Sequence, residues 1–471
     1  MKKLTMILTF VFAFAGITSV FSQGVTTSSM TGKVVNDKGE PIDIANIVAM
    51  HTPTGTQYGT ITMKDGRFNI RNMKIGGPYT VVASFMGYQE GTLENIYLDL
   101  NKTTEVDFEL VESSINLEEV IISYEGDDFI NSDKTGSQTS IDREKLEKLP
   151  SIARSQQDFT RLTPESDGNS FGGRNNLYNN FSLDGSIFNN SFGLDYATPG
   201  GQADAQPVSL DAIDQIQVSL APFDVREGGF TGAGINAVTK SGTNELKGTG
   251  YYFFRNENMI GEKVGSVTAK NYDFSAKQFG VSIGGPIIKD KLFFFINAEA
   301  ERRDQLAHGF VADDGTNTGQ SNVTSVLESD LIAVQNHLRT FWNYDPGAYQ
   351  GYNHETYNDK LLLKLDWNIA KNHSLTVRYN MLDAWKDILP HPEAVGGRGP
   401  TSFRMPFENS SYRIFNQIHS VVAELNSIFS DRMSNNLLVG YTGFRDKRDP
   451  HSEPFPVVDI LDANGNIAIT F

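Results

Sequence analysis

The stretch that decides the fold is residues 358–384, NDKLLLKLDWNIAKNHSLTVRYNMLDA. In its first half every second residue is apolar, and mostly charged or amide side chains stand between the apolar ones. The apolar positions are Leu361, Leu363, Leu365, Trp367 and Ile369. Because successive side chains of a strand point to opposite faces, this pattern predicts strands with one apolar and one charged face. A soluble β-sandwich alternates in the same way, so the pattern alone leaves two architectures open.

The lengths of the connections separate these two architectures. Alternating segments lie near residues 246–255, 276–284, 291–302, 358–369, 373–384, 415–429 and 433–445. The second, fourth and sixth segments are followed by short turns, whereas polar insertions of roughly 20, 55 and 30 residues follow the first, third and fifth. Strict alternation of short turns with long loops is typical of outer membrane β-barrels. The sequence therefore predicts antiparallel transmembrane strands with lipid outside and water inside.

The composition excludes several other classes of protein. The 471 residues include no cysteine, which excludes disulfides, thiolate metal sites and cysteine nucleophiles. The formal net charge of -17 argues against a nucleic acid partner, whose phosphates attract basic surfaces. The mean hydropathy of -0.32 excludes a bundle of membrane helices. A strand-rich membrane protein is compatible with that average, because alternation dilutes the apolar residues.

The first 22 residues have the pattern of a secretory signal peptide. Lys2 and Lys3 precede an apolar stretch at residues 6–17. That stretch is too short to cross a bilayer of roughly 30 Å as a helix. We predict cleavage near Ser22 and Gln23, so that the mature protein leaves the cytoplasm.

Residues 23–112 are predicted to form a small β-domain. About seven short alternating runs, separated by turn-forming sequences, favour a β-sandwich. The order of TGKV at 31–34, GEPI at 39–42, DGRF at 65–68 and GY at 87–88 resembles the carboxypeptidase regulatory-like domain. This resemblance implies an Ig-like β-sandwich and does not imply peptidase activity. His51 is the only histidine of the domain, so a zinc site with two histidines cannot be assembled there.

Four short motifs follow one another in residues 141–244. They are Gly173-Arg174, Leu183-Asp184-Gly185, the segment IDQIQV at 213–218 and the segment GAGINAVTK at 232–240. In this order they resemble the plug domain of TonB-dependent outer-membrane receptors. The run GGPIIKDKLFFF at 284–295 looks like the second hairpin of the Oar-like members of that class. The resemblance implies an α+β plug domain at 141–244, with Gly173, Arg174, Asp184 and Gly185 as motif residues, and a barrel over 245–471.

The number of strands is small for a barrel that holds a plug. The seven segments and a short candidate at residues 467–471 give at most eight strands, and a barrel of eight is filled by its own side chains. Plugged transporters use about 22 strands. We therefore expect this chain to be the N-terminal part of a longer receptor, with roughly fourteen further strands.

The predicted linker, residues 113–140, begins with an acidic and aliphatic segment. Its candidate site residues are Glu119, Val120, Ile121, Ile122 and Ser123. An extended β-branched segment can pair with an exposed strand edge of another protein. The same residues could instead form the last strand of the sandwich or a strand of the next domain, although their position between two domains favours the first interpretation. By the resemblance to TonB-dependent receptors, they lie where the TonB box is found.

The resemblance also implies a function. The protein would be a TonB-dependent receptor of the cell outer membrane that imports a large solute through a plugged β-barrel, in contact with membrane lipid. TonB would grip residues 119–123 by strand addition, no cofactor would be needed, and the ligand would be a glycan or a peptide. A surface lipoprotein is a further partner to consider. The alternative is a plugged surface protein that serves adhesion or secretion support rather than import.

Motifs for catalysis were weighed against this interpretation. The pattern GVSIG at 280–284 matches a nucleophile elbow, but Ser282 lies within a predicted strand, where the strand-to-helix turn of an elbow is missing. The pattern GAGINA at 232–237 matches a dinucleotide fingerprint without the flanking strand and helix that such a site needs. The eight histidines are scattered, so no metal site is predicted. We predict no catalytic residue and no enzyme activity.

Overall fold

The computed structural model describes residues 24–112, 120–123, 138–151, 154–189, 198–222, 227–265, 267–268, 272–316, 320–390, 398–430 and 433–471. Within these residues the chain is mainly β, as predicted. The predicted signal peptide and most of the predicted linker lie outside the described residues. No helix in the described part of the chain is long and apolar enough to cross a membrane.

The N-terminal strands form two facing sheets, here called the sandwich. The strands are β1 (Ser28–Asn36), β2 (Asn46–His51), β3 (Thr56–Ile61), β4 (Arg67–Met73), β5 (Gly76–Ser84), β6 (Gly91–Leu98), β7 (Thr103–Glu105), β8 (Phe108–Leu110) and β9 (Val120–Ser123). One sheet has the order β4-β1-β7, with β8 also paired to β1, and the other has the order β3-β2-β5-β6-β9. Both sheets contribute to one apolar core that includes Met30, Ile47, Phe68, Tyr79 and Phe108. The predicted Ig-like sandwich is confirmed.

A mixed sheet with short helices comes next, here called the central unit. Its elements are β10 (Gln138–Ile141), α1 (Arg143–Lys148), α2 (Gln157–Thr160), β11 (Ser166–Asp167), β12 (Ser170–Phe171), β13 (Asn180–Leu183), β14 (Ser186–Ile187), β15 (Ile213–Ser219) and β16 (Gly234–Thr239). The main sheet has the order β10-β15-β16-β13-β14. Helix α1 begins where the Asp142 side chain accepts a hydrogen bond from the Lys145 amide, and it ends before Pro150. Every residue of β16 is buried, because other parts of the chain cover both faces of this sheet.

Longer strands make up the rest of the chain. The elements are β17 (Lys247–Asn256), β18 (Lys263–Val264), β19 (Val267–Thr268), β20 (Phe274–Ile288), β21 (Leu292–Leu306), β22 (Val311–Asp313), β23 (Val323–Leu327), α3 (Glu328–Trp342), β24 (Asn353–Ala370), β25 (His373–Ile388), β26 (Met405–Pro406), β27 (Tyr412–Ser430), β28 (Met433–Pro450), β29 (Asp459–Leu461) and β30 (Ile467–Thr470). Single 3-10 turns lie at Asn176–Tyr178, Gly201–Ala203, Leu210–Ala212, Glu257–Met259 and Glu408–Ser410.

Seven of these strands form one antiparallel sheet, here called the wall. Its order is β17-β20-β21-β24-β25-β27-β28, so strands that neighbour one another in the wall also follow one another along the chain. All seven predicted segments are present. Most are longer than predicted at the end that faces a long connection; β24, for example, begins at Asn353 rather than near residue 358. Beyond the membrane both faces of a strand can be polar, so the alternation that marks a strand fades there.

The two faces of the wall differ as the alternation predicts. On β24, Leu363, Leu365 and Trp367 are 38%, 45% and 42% exposed, whereas the intervening Lys364 and Asp366 are 6% and 8% exposed. The charged face is buried because it lies against the central unit, and the apolar face is left open. This is the polarity of a sheet that meets lipid on its outer side.

The long connections build a separate cluster, here called the loop unit. Strands β22 and β23 pair in parallel, and β26, β30 and β29 form a three-stranded sheet. Helix α3 contributes Leu331 and Leu338 to a core shared with Phe407 and Phe471. The candidate eighth barrel strand at residues 467–471 is therefore wrong, because β30 pairs with other loop strands and not with the wall. Helix α3 was not predicted.

Candidate functional site

The turn between β13 and β14 contains the Leu-Asp-Gly motif of the central unit. Asp184 and Gly185 both have left-handed backbone conformations, with φ of 44° and 76°. A Cβ at Gly185 would lie 3.1 Å from the Gly24 carbonyl oxygen and would displace the end of the Leu438 side chain of the wall, so the positive φ favours glycine and the space around it is tight. The turn projects the Asp184 carboxylate back over the sheet, where the Thr239 amide and hydroxyl donate to it at 2.8 and 2.7 Å.

Two cations of the wall complete the environment of Asp184. Arg378 of β25 donates through Nη1 to Asp184 Oδ2 at 3.1 Å and to the Leu183 carbonyl at 2.8 Å. Lys364 of β24 lies 3.9 Å from Asp184 Oδ1 and donates to the Thr239 carbonyl at 2.9 Å. Arg378 is 1% exposed and Asp184 is 5% exposed. This buried group, here called the anchor, attaches the central unit to two neighbouring strands of the wall.

The anchor changes the pKa of its carboxylate. Burial by itself raises the pKa of Asp184, but Lys364, Arg378 and the hydrogen bonds from Thr239 together hold the pKa below its ordinary value. Asp184 therefore stays ionised and offsets part of the positive charge of the two buried cations.

The pH dependence of stability follows from this shift. An unfolded aspartate has a pKa of about 3.9, so the unfolded chain binds the proton more readily than the folded one. The stabilisation by Asp184 is complete above about pH 4 and is lost as the pH falls through the lower folded pKa. We expect the wild-type protein to unfold at a higher temperature than Asp184→Asn at neutral pH, and the difference to shrink on acidification. A difference that is independent of pH would contradict the ion pair.

A second buried charge pair lies within the wall itself. Lys360 of β24 donates to Glu299 Oε1 of β21 at 2.6 Å, and both side chains are almost fully buried. Ser209 of the central unit donates to Glu299 Oε2 at 2.7 Å, and the Tyr251 hydroxyl also donates to that oxygen. Through the Glu299 carboxylate, the central unit is thus hydrogen-bonded to β21 and linked to two further strands, β17 and β24, of which β24 also takes part in the anchor.

Contacts at the long-loop end of the wall are more open. Lys386 donates to Asp204 at 2.6 Å, and Arg303 lies 3.6 Å from the same carboxylate. The Ala203 amide donates to Asn416 of β27 at 3.0 Å. These polar contacts hold the 3-10 turn Gly201–Ala203 against the wall, and the partly exposed Asp204 is accessible from the loop side.

The other plug motif residues lie apart from the anchor. Gly173 has a φ of 72°, and Arg174 closes the same turn by donating from its amide to the Phe171 carbonyl at 3.0 Å. Both residues are exposed, so the structure does not bring this motif together with Asp184 and Gly185. Their predicted role as plug motif residues stays a prediction.

The TonB box-like segment is partly described. Val120–Ser123 forms β9, which pairs in parallel with β6 in the register Gly91↔Val120 to Glu94↔Ser123. Glu119 lies outside the described residues. This pairing corresponds to the alternative weighed above, a last strand of the sandwich. Recognition of the segment by a partner stays a prediction.

The structure contains no arrangement for catalysis at the positions considered. Ser282 lies within β20, 5% exposed, and its hydroxyl is 2.6 Å from that of Thr249 on β17. No histidine or carboxylate is bonded to it as a base among the described residues. In the same residues no group of three or more His, Asp or Glu side chains could hold a metal ion.

Sequence reasoning missed the residues that hold the central unit in place. These residues occupy polar positions of the predicted strands; they are Arg378, Lys364, Lys360 and Glu299. Their burial was not predicted, because a charged position facing a barrel interior normally meets water. The sequence did contain a signal for buried ion pairs, since several charged residues of both signs occupy the inward-facing positions of neighbouring strands.

Comparisons with known proteins agree with this architecture. A family profile described as Outer membrane beta barrel domain matches residues 238–468. A second profile, Carboxypeptidase regulatory-like domain, matches residues 29–111. The TonB-dependent transporter Oar of Myxococcus xanthus is 23% identical over 399 residues, which cover 80% of this chain and 34% of that protein. The chain thus spans about a third of the length of the curated relative it matches.

Solved structures were compared as well. The outer membrane transporter YddB from Escherichia coli is similar with a TM-score of 0.46 and 16% identity, covering 66% of this chain and 39% of that chain. The siderophore receptor PirA from Pseudomonas aeruginosa is similar with a TM-score of 0.40 and 13% identity, covering 67% of this chain and 42% of that chain. Taking the two family profiles and the Oar relative together, the chain is a protein of the cell outer membrane, related to the TonB-dependent transporter Oar, that joins a carboxypeptidase regulatory-like domain to an outer membrane beta barrel domain.

Proposed function

We propose that this protein is a TonB-dependent receptor that imports a large solute through a plugged β-barrel. The observation that carries the proposal is the anchor, in which Asp184 of the central unit is bonded to Arg378 and Lys364 on the polar face of the wall. A folded unit bonded to the interior face of a barrel blocks passive flow. Import then requires that the central unit, acting as the plug, shift or partly unfold.

The energy for this movement must come from outside the outer membrane, which holds neither ATP nor an ion gradient. In the proposed mechanism TonB, an energised inner-membrane protein, grips residues 119–123 by strand addition and pulls. Strand β9 lies at the end of the sheet order β3-β2-β5-β6-β9, so one of its edges faces away from β6. An added strand could extend the sheet at that edge through backbone hydrogen bonds.

The proposed ligand is a glycan or a peptide, bound between the central unit and the long loops. Asp204, which directly follows the turn Gly201–Ala203, is partly exposed and pairs with Lys386 near the long-loop end of β25. A surface lipoprotein that covers the mouth of the barrel is a further proposed partner. Each of these proposals concerns the complete receptor, of which this chain forms a part.

Deletion of residues 118–123 tests the mechanism. We expect the complete receptor to reach the outer membrane and to bind solutes at the cell surface, but to lose uptake. The measurement is mass spectrometry of the growth medium, which identifies solutes that cells with the wild-type receptor deplete and cells without the receptor leave behind.

The matched control is a deletion of the same length at residues 128–133, which shortens the linker without removing the segment. Depletion should persist in that control. Unchanged depletion after deletion of residues 118–123 would overturn the TonB mechanism. If removing the receptor changes surface adhesion or secretion but depletes no solute differently, the alternative function as a surface protein is the correct one.

A further inference from the structure

The sandwich is hydrogen-bonded to the end of the wall at which short turns connect the strands. Two hydrogen bonds join the β2–β3 hairpin to this end of the wall. The amide of Asn244, in the connection that leads into β17, donates to the Pro53 carbonyl at 2.8 Å, and the Asn368 side chain of β24 donates to Thr56 of β3 at 2.9 Å. Asn368 also donates to the carbonyl of Asp290 in the turn between β20 and β21. In outer membrane barrels the short turns face the periplasm. The sandwich therefore lies at the periplasmic mouth.

The sandwich is bonded to the central unit as well. Gln215 of β15 accepts from the Leu100 amide at 2.8 Å and donates to the Leu98 carbonyl at 3.4 Å. Asn101 donates to Glu227 at 2.7 Å. One stretch of the sandwich, residues 98–101, thus provides both backbone and side-chain contacts to the unit that would form the plug.

Apolar contact between the two units is small. Ile75 and Leu100 of the sandwich form a buried cluster with Val238 of β16, separate from the cores of both units. On the wall side, Lys74 lies 3.9 Å from Asp366, with side-chain exposures of 27% and 11%. In the described residues, the contact of the sandwich with its neighbours therefore consists of three apolar residues, one ion pair and several hydrogen bonds. It is specific, but it is far smaller than the hydrophobic core of either unit. Polar contacts of this kind are typical of domains that separate.

Strand β9 links this contact to the segment that a partner would pull. Strand β9 (residues 120–123) pairs with β6, and β6 pairs with β5 in the same sheet. Strand β5 begins at Gly76, directly after the contact residue Ile75. A force on β9 therefore acts on the sandwich. The anchor of the central unit is a buried ion pair with a direct hydrogen bond from Arg378 to Asp184. The ion pair of the sandwich, between Lys74 and Asp366, is 3.9 Å long and partly exposed, and its apolar contact with the central unit is limited to the cluster of Ile75, Leu100 and Val238, so the sandwich should yield first.

We propose that the N-terminal sandwich is a gate at the periplasmic mouth, closed in this structure, and that a pull on β9 opens it by separating the sandwich from the wall and the central unit. The source of the pull rests on the proposed function; the closed contact does not. The gate gives this domain a task in transport beyond that of a spacer: it covers the exit until an energised partner engages the segment.

Engineered cysteines test the gate, since the 471 residues contain none of their own. The pair Ile75→Cys and Val238→Cys links the sandwich to the central unit across their shared apolar cluster. A second pair, Pro53→Cys and Asn244→Cys, links it to the connection that leads into β17 of the wall and serves if the first variant does not reach the membrane. The control pair is Met50→Cys and Thr80→Cys, which face each other within the sandwich.

Each pair is placed in the complete receptor, and cells are treated with an oxidant in the presence or absence of a protonophore. We expect high cross-linking across the gate in de-energised cells and a several-fold lower yield in energised cells. In the variant lacking residues 120–123 the energy dependence should vanish. The control pair should cross-link equally in all conditions.

Several outcomes would overturn the gate. One is failure of both gate pairs to cross-link in de-energised cells while the control pair does, and another is equal cross-linking in energised and de-energised cells. A third is wild-type solute depletion by cells whose gate pair is fully oxidised; this result would leave the proposed import function standing. If the wild-type receptor depletes no solute, the proposed function fails, while the cross-linking yields still decide whether the sandwich docks and separates.

Discussion

Replacing Arg378 by methionine is expected to lower the free energy of unfolding of the central unit by about 3–5 kcal/mol. The substitution keeps a long side chain in the space but removes the guanidinium that donates to Asp184 and to the Leu183 carbonyl. A buried carboxylate is then left with Lys364 at 3.9 Å and no direct ionic hydrogen bond from the wall. Hydrogen exchange of β13 and β16 in the purified protein measures the loss.

The control for Arg378→Met is Lys386→Met, which removes a cation of the same wall strand from the more open pair with Asp204. We expect it to cost at most about 1 kcal/mol, because an accessible ion pair contributes little. A double variant, Arg378→Met with Asp184→Asn, should be less damaging than the sum of the single variants, since the buried carboxylate that lacks Arg378 is then no longer charged. Equal effects of Arg378→Met and Lys386→Met would show that burial does not decide the strength of the anchor.

Replacing Lys360 by methionine is expected to cost a similar amount, about 3–5 kcal/mol, but in a different part of the molecule. Glu299 would keep its hydrogen bonds from Ser209 and Tyr251 and lose its only ionic partner within salt-bridge distance in the described structure. The loss should appear in hydrogen exchange of β21 and β24, because the pair joins these two strands.

The matched control for Lys360→Met is the double variant with Glu299→Gln. The amide oxygen of glutamine can still accept the hydrogen bond from Ser209 and carries no charge, so most of the stability should return. If the double variant is as unstable as Lys360→Met alone, the loss stems from packing around the lysine stem. The charge would then not be the cause.

Much of the wall could be predicted from residues that are close in sequence. The alternation in β24 and β25 and the two-residue break between them are local, and they place Leu363 and Lys364 on opposite faces without knowledge of any distant contact. Local turn sequences likewise predicted the sandwich. The length of the strands beyond the membrane could not be predicted, because the apolar face no longer needs to be apolar there.

The candidate site was predicted only in part. The Leu-Asp-Gly motif identified Asp184 and Gly185, and the left-handed backbone at both residues explains why that sequence is used. The partner Arg378 follows Asp184 by 194 residues. No local pattern connects two such positions, since which interior charge meets which turn depends on how the wall curves around the central unit.

The place of short segments was decided by tertiary structure in the same way. Residues 120–123 and 467–470 both have the composition of strands, and both are strands. Which strand each segment pairs with depends on which strand edge with unpaired backbone groups lies nearby in the folded chain. For the first this is β6 of the sandwich, and for the second it is the loop strands β26 and β29.

Local sequence patterns were enough to predict a mainly β protein with a sandwich, a middle segment and a wall of two-faced strands, because strand formation and the choice of face depend on neighbouring residues. Only the tertiary structure decided that the charged face of the wall is buried, that Asp184 is held by Arg378 and Lys364, and that the sandwich lies across the short-turn end. These features depend on contacts between residues far apart in the chain, where burial turns an ordinary charge into one that must be paired.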